Sequence, residues 1–148
     1  MPGECVRHLI FFHDVLEHLP REEIIPILRA VRRVLAQGGL LSVRVPNMSA
    51  LVASYTAAID FTHITNFTSY SLIQVLESAG FEPTAITLQT QAPRLFWSWR
   101  KPHRMFFRLL NRLRWHANNG LHRVVYLFAD VHPRPNMFDP NLVVLARK

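Results

Sequence analysis

Leu9-Ile10-Phe11-Phe12-His13-Asp14-Val15-Leu16-Glu17-His18-Leu19 is the stretch on which the reading of the whole chain turns. Its first four residues have the length and character of a buried strand, although periodicity alone also allows a piece of helix. The run breaks into a polar segment, His13 to Pro20, read as a loop or a helical turn. Arg21 to Ala36 follows as an amphipathic helix, because Ile24, Leu28, Val31 and Leu35 fall on one face. Glu22 and Glu23 open that helix and Arg32 and Arg33 sit near its end, each at the terminus that the helix dipole favours. Pro26 lies about one turn in, where it costs little or kinks the start. Gly38-Gly39 is expected to supply a left-handed stop.

Outward from this unit, Leu40 to Val45 is a second strand, ended by Pro46-Asn47. A helix is expected over Met48 to Ile59. Asp60 to Phe67 mixes polar and aromatic residues, as a site loop does. Thr68 is a predicted N-cap for a helix over Ser69 to Ser78, with Leu72, Val75, Leu76 and Ala79 at helical spacing and Gly80 at its end. A third strand is expected over 82–91 and a fourth over 141–147. Between them lies an insertion at about 93–130, helical from Pro102 to about Trp115. With the first strand placed at 8–12, strands alternate with helices, which predicts an α/β sheet whose first two strands are parallel.

Composition bounds the possibilities. The chain has 148 residues, 49% apolar and 18% charged, which suits one domain over 1–148. Its single cysteine, Cys5, excludes an internal disulfide framework and a four-cysteine zinc site. No apolar run reaches the ~18 residues of a membrane span. Met1-Pro2-Gly3-Glu4 lacks the plan of a signal peptide, so a cytoplasmic location is expected. The net charge of +7 is concentrated in one segment. Between Glu82 and Asp130 there is no acid, while Arg94, Arg100, Lys101, Arg104, Arg108, Arg112, Arg114 and Arg123 all fall there.

These pieces carry a family likeness. Phe12-His13-Asp14-Val15-Leu16-Glu17-His18-Leu19 resembles the segment after the fourth strand of class I S-adenosylmethionine-dependent methyltransferases. Arg33-Val34-Leu35-Ala36-Gln37-Gly38-Gly39-Leu40-Leu41 resembles the family's helix end, glycine turn and fifth strand, and Val45-Pro46-Asn47 continues the pattern. Asp60-Phe61-Thr62-His63, Phe67-Thr68 and Ala79-Gly80-Phe81 are similar to the small-molecule branch. The match covers about residues 8–90 and the final strand. It implies the C-terminal half of a Rossmann-like sheet, S-adenosylmethionine as cofactor and a small or sugar-like methyl acceptor.

The family binds its cofactor mainly through a glycine-rich turn and an acidic residue at the end of the second strand. The five glycines here, Gly3, Gly38, Gly39, Gly80 and Gly120, form no GxGxG. The resemblance therefore implies that most of that pocket is missing and that this chain alone binds cofactor weakly or not at all. Strand 8–12 would expose an edge that aggregates unless covered, for which a second chain is one candidate. The alternative is a non-catalytic module, binding a partner or a membrane surface, derived from a methyltransferase half.

By the resemblance, His13, Asp14 and Val15 line the cofactor, while Glu17 and His18 lie toward the substrate. Were the segment helical, Asp14, Glu17 and His18 would share a face. A histidine beside a carboxylate can serve as general base near neutral pH, against the plainer reading of a capped turn with a surface histidine. His63 is the second candidate, for substrate contact or as base; packing between Phe61 and Phe67 is the competing explanation. His8, His13, Asp14, Glu17, His18 and His63 are all metal-ligand types. They form neither HExxH nor the wider set of HD-type phosphohydrolases, so no metal site is expected.

The segment Arg94 to Arg123 interleaves basic residues with Phe96, Trp97, Trp99, Phe106, Phe107 and Trp115. A lid over the acceptor, an anionic membrane surface and nucleic acid are its three readings. The family likeness favours the lid; nucleic acid is the least expected. Membrane contact would make the protein peripheral to a membrane.

Overall fold

The computed structural model describes residues 7–93 and 102–148, with no account of the side chains of Pro102 and His103. Cys5 and the stretch Arg94 to Lys101, including Phe96, Trp97 and Trp99, lie outside the described residues. The elements are β1 (Arg7–His13), α1 (Arg21–Val34), β2 (Leu35–Pro46), α2 (Ala53–Ala58), α3 (Ser69–Ser78), β3 (Ile86–Gln89), α4 (Pro102–Phe128) and β4 (Asn141–Arg147). The fold is α/β, as the alternation of strands and helices predicts. Its four-stranded mixed sheet runs β1-β2-β4-β3. β1 and β2 are parallel, and β4 is antiparallel to both β2 and β3.

One face of the sheet is the core. Leu41, Val43 and Val45 of β2 alternate inward, as do Leu142, Val144 and Ala146 of β4. Ile24 and Leu28 of α1 and Leu72 and Leu76 of α3 pack into the same cluster. α3 begins as predicted: Thr68 accepts the Ser71 N–H, and Ser71 reaches back to the Thr68 N–H. β1 pairs only with β2 among the described residues, so it forms one end of the sheet. Ile10 and Phe12 face the core. Leu9 and Phe11 point to the other face and are 48% and 62% exposed.

Several boundaries differ from expectation, each for a local reason. α1 ends at Val34, because Leu35 turns extended (φ −69°, ψ 139°) and is buried with Ala36 in the first residues of β2. Gly38-Gly39 is therefore inside β2 and does not stop the helix. Gly38 (φ +74°) marks the bulge where the pairing register with β1 shifts. At Gly39 an added Cβ would lie 2.8 Å from the Ala36 carbonyl oxygen and 3.1 Å from that of Arg7, so only glycine fits. Lys148 Nζ donates to the Arg33 and Leu35 carbonyls at 3.0 and 2.6 Å, satisfying the end of α1 from outside.

The helix expected over Met48 to Ile59 shortens to α2, because the preceding amides are taken elsewhere. Met48 N–H donates to Phe67 O, Ser49 N–H to Asn47 Oδ1, and Leu51 N–H to His122 Nε2. β3 begins at Ile86, after a 3-10 turn over Pro83–Ala85 opened by proline. α4 runs on past Trp115 to Phe128, because Asn118 and Asn119 bond within it: His122 Nδ1 lies 2.7 Å from Asn118 O, and Asn119 Nδ2 donates to Trp115 O.

Leu28 is fully buried between α1 and the sheet. Leu28→Ala is expected to lower unfolding free energy by roughly 2–5 kcal/mol in urea titrations. Thr68→Ala, which removes a cap, should cost about 1 kcal/mol. A Leu28→Ala effect below about 0.5 kcal/mol, the range of surface substitutions, would contradict this packing.

Candidate functional site

β1 and β2 are parallel, so their carboxyl ends lie at the same end of the sheet, where ligands bind in open α/β folds. β1 stops at Asp14. This residue takes a left-handed backbone (φ 54°), which aspartate tolerates better than most non-glycine residues. Its N–H donates to the Arg44 carbonyl at 2.9 Å. The Arg44 guanidinium grips the Asp14 carboxylate through both oxygens, with Nε 3.0 Å from Oδ1. That bond holds the Arg44 pKa above its ordinary value. Both partners are well exposed, so the pair fixes geometry more than stability.

The neighbouring cofactor candidates go different ways. His13, the last residue of β1, turns to the non-core face of the sheet, its Nε2 2.8 Å from Ser42 Oγ. Val15 is half-buried and begins a single 3-10 turn, Leu16–His18. Because Asp14 is left-handed and the turn spans only three residues, the helical face joining Asp14, Glu17 and His18 does not form.

The turn instead brings Glu17 and His18 against the Asp60–Thr65 loop. The Glu17 carbonyl accepts the N–H groups of Ile64 and Thr65 at 2.9 and 3.0 Å. Thr65 Oγ1 donates to the Leu19 carbonyl at 2.8 Å. His63 is thereby held beside His18, with ring centroids 4.8 Å apart. Glu17, His18 and His63 each place one ligand-type atom within 4.8 Å of the others. Three residues singled out from the sequence thus form one cluster.

Thr62 and Asp60 set the state of His18. Thr62 Oγ1 donates to Asp60 Oδ1 at 2.7 Å and lies 2.8 Å from His18 Nδ1. A hydroxyl has one proton, and it is committed to the carboxylate. His18 Nδ1 therefore donates its hydrogen to Thr62, and in the neutral ring the lone pair is on Nε2. Asp60 is held below the usual carboxylate range by its two hydrogen bonds from Thr62.

Glu17 is in the opposite situation. Its side chain is 2% exposed, and its Oε2 has no hydrogen-bond partner; His63 Nδ1 is likewise buried and unpartnered. Burial pushes the Glu17 carboxyl above its ordinary pKa, against a smaller lowering by its own backbone N–H. Leaving a buried acceptor unmatched costs about 1–3 kcal/mol.

Sequence reading missed Ser42, Arg44, Asp60 and Thr62 as partners of the candidate residues. The spacing in Asp60-Phe61-Thr62 was the one available signal, since an aspartate commonly accepts the N–H two residues on. That bond is present, from Thr62 N to Asp60 Oδ1 at 2.9 Å.

α4 is fastened at the same end of the sheet. Trp115 Nε1 donates to Asp139 Oδ1 at 2.6 Å, and Tyr126 to the Ser49 carbonyl at 3.0 Å. His122 is buried under the 49–51 turn. The buried Asp139 also accepts the Gln91 N–H, and the buried Asn47 amide donates to the carbonyls of Met137 and Asp139.

The fold resembles that of several solved methyltransferases. The chain is similar to a SAM-dependent methyltransferase from Archaeoglobus fulgidus, with TM-score 0.60 and 15% identity over 98% of this chain and 61% of that one. A second, an S-adenosylmethionine-dependent methyltransferase from Mesorhizobium loti, gives TM-score 0.52 and 12% identity over 99% and 63% of the two chains. A third, PigF with SAH, gives TM-score 0.52 and 12% identity over 97% and 31%. At these identities the likeness establishes the fold, and the chain spans less than two thirds of each relative. No family model matches the sequence, and no curated protein sequence matches it.

The state of Glu17 makes stability pH-dependent. A carboxyl whose folded pKa is raised binds more protons folded than unfolded, so its contribution is full below the unfolded value near 4.5 and is lost as pH rises through the folded one. In EDTA-containing buffer, Glu17→Gln should gain in urea midpoint relative to wild type between about pH 4 and pH 7. A difference that does not change with pH would contradict the burial of this carboxyl.

Proposed function

We propose that this chain belongs to an S-adenosylmethionine-dependent methyltransferase whose acceptor is a small or sugar-like molecule. The observation that carries the reading is the clustering of Glu17, His18 and His63 at the carboxyl end of the parallel pair in a methyltransferase-like sheet. When bound, the cofactor supplies an electrophilic methyl group on a sulfonium. The strand end suits one wall of such a pocket: Asp14 offers an exposed carboxylate fixed by Arg44, and Val15 an apolar contact. His13 is the less direct member, being bonded to Ser42 on the sheet face. The sequence has no GxGxG to cradle the remainder of the nucleotide, so His13, Asp14 and Val15 hold it weakly by themselves.

The chemistry assigned to the chain is orientation and proton removal. His18 Nε2 bears the free lone pair and is the base that takes the acceptor's proton, with Thr62 and Asp60 holding the ring. His63 is the second contact with the acceptor. Phe61, 101% exposed, and the exposed Ile64 flank it and give an acceptor apolar surface. α4, fastened at this end of the sheet by Trp115 and Tyr126, is the proposed lid.

Amide NMR titration with S-adenosylhomocysteine tests the cofactor site. Weak, saturable shifts at residues 13–18 are expected, with affinity poorer than micromolar. Absence of shifts there up to millimolar ligand would defeat the assignment, and micromolar binding would defeat the claim that the wall is insufficient.

We further propose that the outer face of α4 rests on an anionic membrane. At 3.6 residues per turn, Phe106, Leu110, Leu113, Leu121, Val124 and Phe128 lie opposite Trp115, His122 and Tyr126. All six are exposed. By the same spacing Arg114 borders this face while Arg104, Arg112 and Arg123 lie toward the Trp115 side, and the helix carries no acid, so its positive charge as a whole complements anionic lipid. No helix among the described residues is long and apolar enough to cross a membrane. The chain should sediment with vesicles containing phosphatidylglycerol and be released by salt and by Phe106→Ser with Phe128→Ser. Equal partition to neutral vesicles, or burial of this face in a self-associated species by analytical ultracentrifugation, would overturn it.

A further inference from the structure

We propose that Glu17, His18 and His63 bind one divalent transition-metal ion of the zinc class. One ligand-type atom from each lies within 4.8 Å of the others. Independently, Glu17 Oε2 and His63 Nδ1 are buried polar atoms with no partner, and the Glu17 side chain is 2% exposed. An ion between them satisfies both. The third ligand is already oriented: the hydrogen on His18 Nδ1 goes to Thr62 Oγ1, and Thr62 in turn donates to Asp60, so in the neutral ring the lone pair is on Nε2. Metal-binding histidines are commonly held this way, with the second nitrogen's hydrogen committed to an oxygen acceptor.

The donor set selects the ion. Two imidazoles and one carboxylate suit zinc, ferrous iron and their neighbours. Magnesium and calcium prefer all-oxygen shells. Three protein ligands leave at least one coordination position open. Around a tetrahedral ion with bonds of ~2.0–2.1 Å, ligand atoms stand roughly 3.4 Å apart, so the three groups draw together modestly on binding. His63 lies on a loop and can supply that movement, whereas the backbone bonds from Ile64 and Thr65 keep the loop in place. The ligands come from positions with no metal-motif spacing, which is why the sequence alone predicts none.

An ion on Nε2 occupies the lone pair assigned above to proton removal, so for His18 the two roles are alternatives; the inference stands on these three side chains and needs no bound S-adenosylmethionine, so its failure and that of the methyl-transfer reading are distinguishable. The full chain, stripped with EDTA, is titrated with Zn²⁺ by calorimetry and with Co²⁺ by visible absorption. One ion per chain at micromolar affinity or tighter is expected, with Co²⁺ bands of low coordination number. His18→Ala and His63→Ala should each weaken Zn²⁺ by tenfold or more, with circular dichroism unchanged. Thr62→Val, which only releases the His18 ring, should weaken it by ~10-fold. If Glu17→Ala fails to fold, the two histidine variants still decide. Absence of saturable Zn²⁺ binding, affinity unchanged in both histidine variants, or equal affinity for Mg²⁺ would each overturn the proposal.

Discussion

Two backbone N–H groups, those of Ile64 and Thr65, converge on the carbonyl of Glu17, and the candidate site depends on that junction. Thr65 adds a side-chain bond to Leu19 two residues further on. A surface loop rich in polar residues would ordinarily sample many arrangements, and fixing each residue costs about 1–2 kcal/mol of conformational entropy. Here the loop is held at its centre by the 3-10 turn and at its end by Phe67, which is buried and whose carbonyl accepts the Met48 N–H. The attachments are main-chain or lie beside the cluster. The side chains of His18 and His63 are therefore left free of structural duty on at least one nitrogen.

Much of this was legible in the sequence because it is local. The strand at β1, the stripe Ile24, Leu28 and Val31 of α1, and the Thr68 cap all act over a few residues and take the predicted form, although Leu35 passes into β2 and Leu9 and Phe11 of β1 are exposed. Gly38-Gly39 misled because the same dipeptide that ends helices also permits a bulge and a close backbone approach, and only the position of Arg7 on the neighbouring strand decides between them. The extent of α4 was misjudged for a related reason. The helix expected to about Trp115 continues to Phe128 because Asn119 bonds back to Trp115 within it, and Trp115, His122 and Tyr126 are held by residues far off in sequence.

The site was legible residue by residue and illegible as an arrangement. Glu17, His18 and His63 carry the right chemistry in isolation, but their meeting rests on hydrogen bonds that span more than forty positions, such as that between His18 and Thr62 (44 residues apart). No periodicity encodes such a contact. The same holds for the buried polar posts: Asn47 reaches Asp139, 92 residues away, to join the end of β2 to the start of β4. Both side chains are fully or nearly fully buried, and both find partners for their polar atoms, as interior polar groups must.

Against that background Glu17 stands apart. Asn47 and Asp139 are buried and matched, whereas Glu17 is buried with one oxygen unmatched. A leucine of similar volume would remove the mismatch and add apolar burial, since an uncompensated polar group in a core is a net loss. Nor does Glu17 serve the fold through its side chain, because the bonds that hold the loop use its carbonyl, which any residue supplies. The carboxyl therefore works against stability. Local conflicts of this kind concentrate where a protein acts on something other than itself. The location of the conflict is informative as well: one buried carboxyl oxygen and one buried imidazole nitrogen lack partners, beside a second imidazole whose Nδ1 is tied to Thr62. The proton of an acceptor hydroxyl and a metal ion are the two occupants proposed for that corner, and both proposals start from its unmatched atoms.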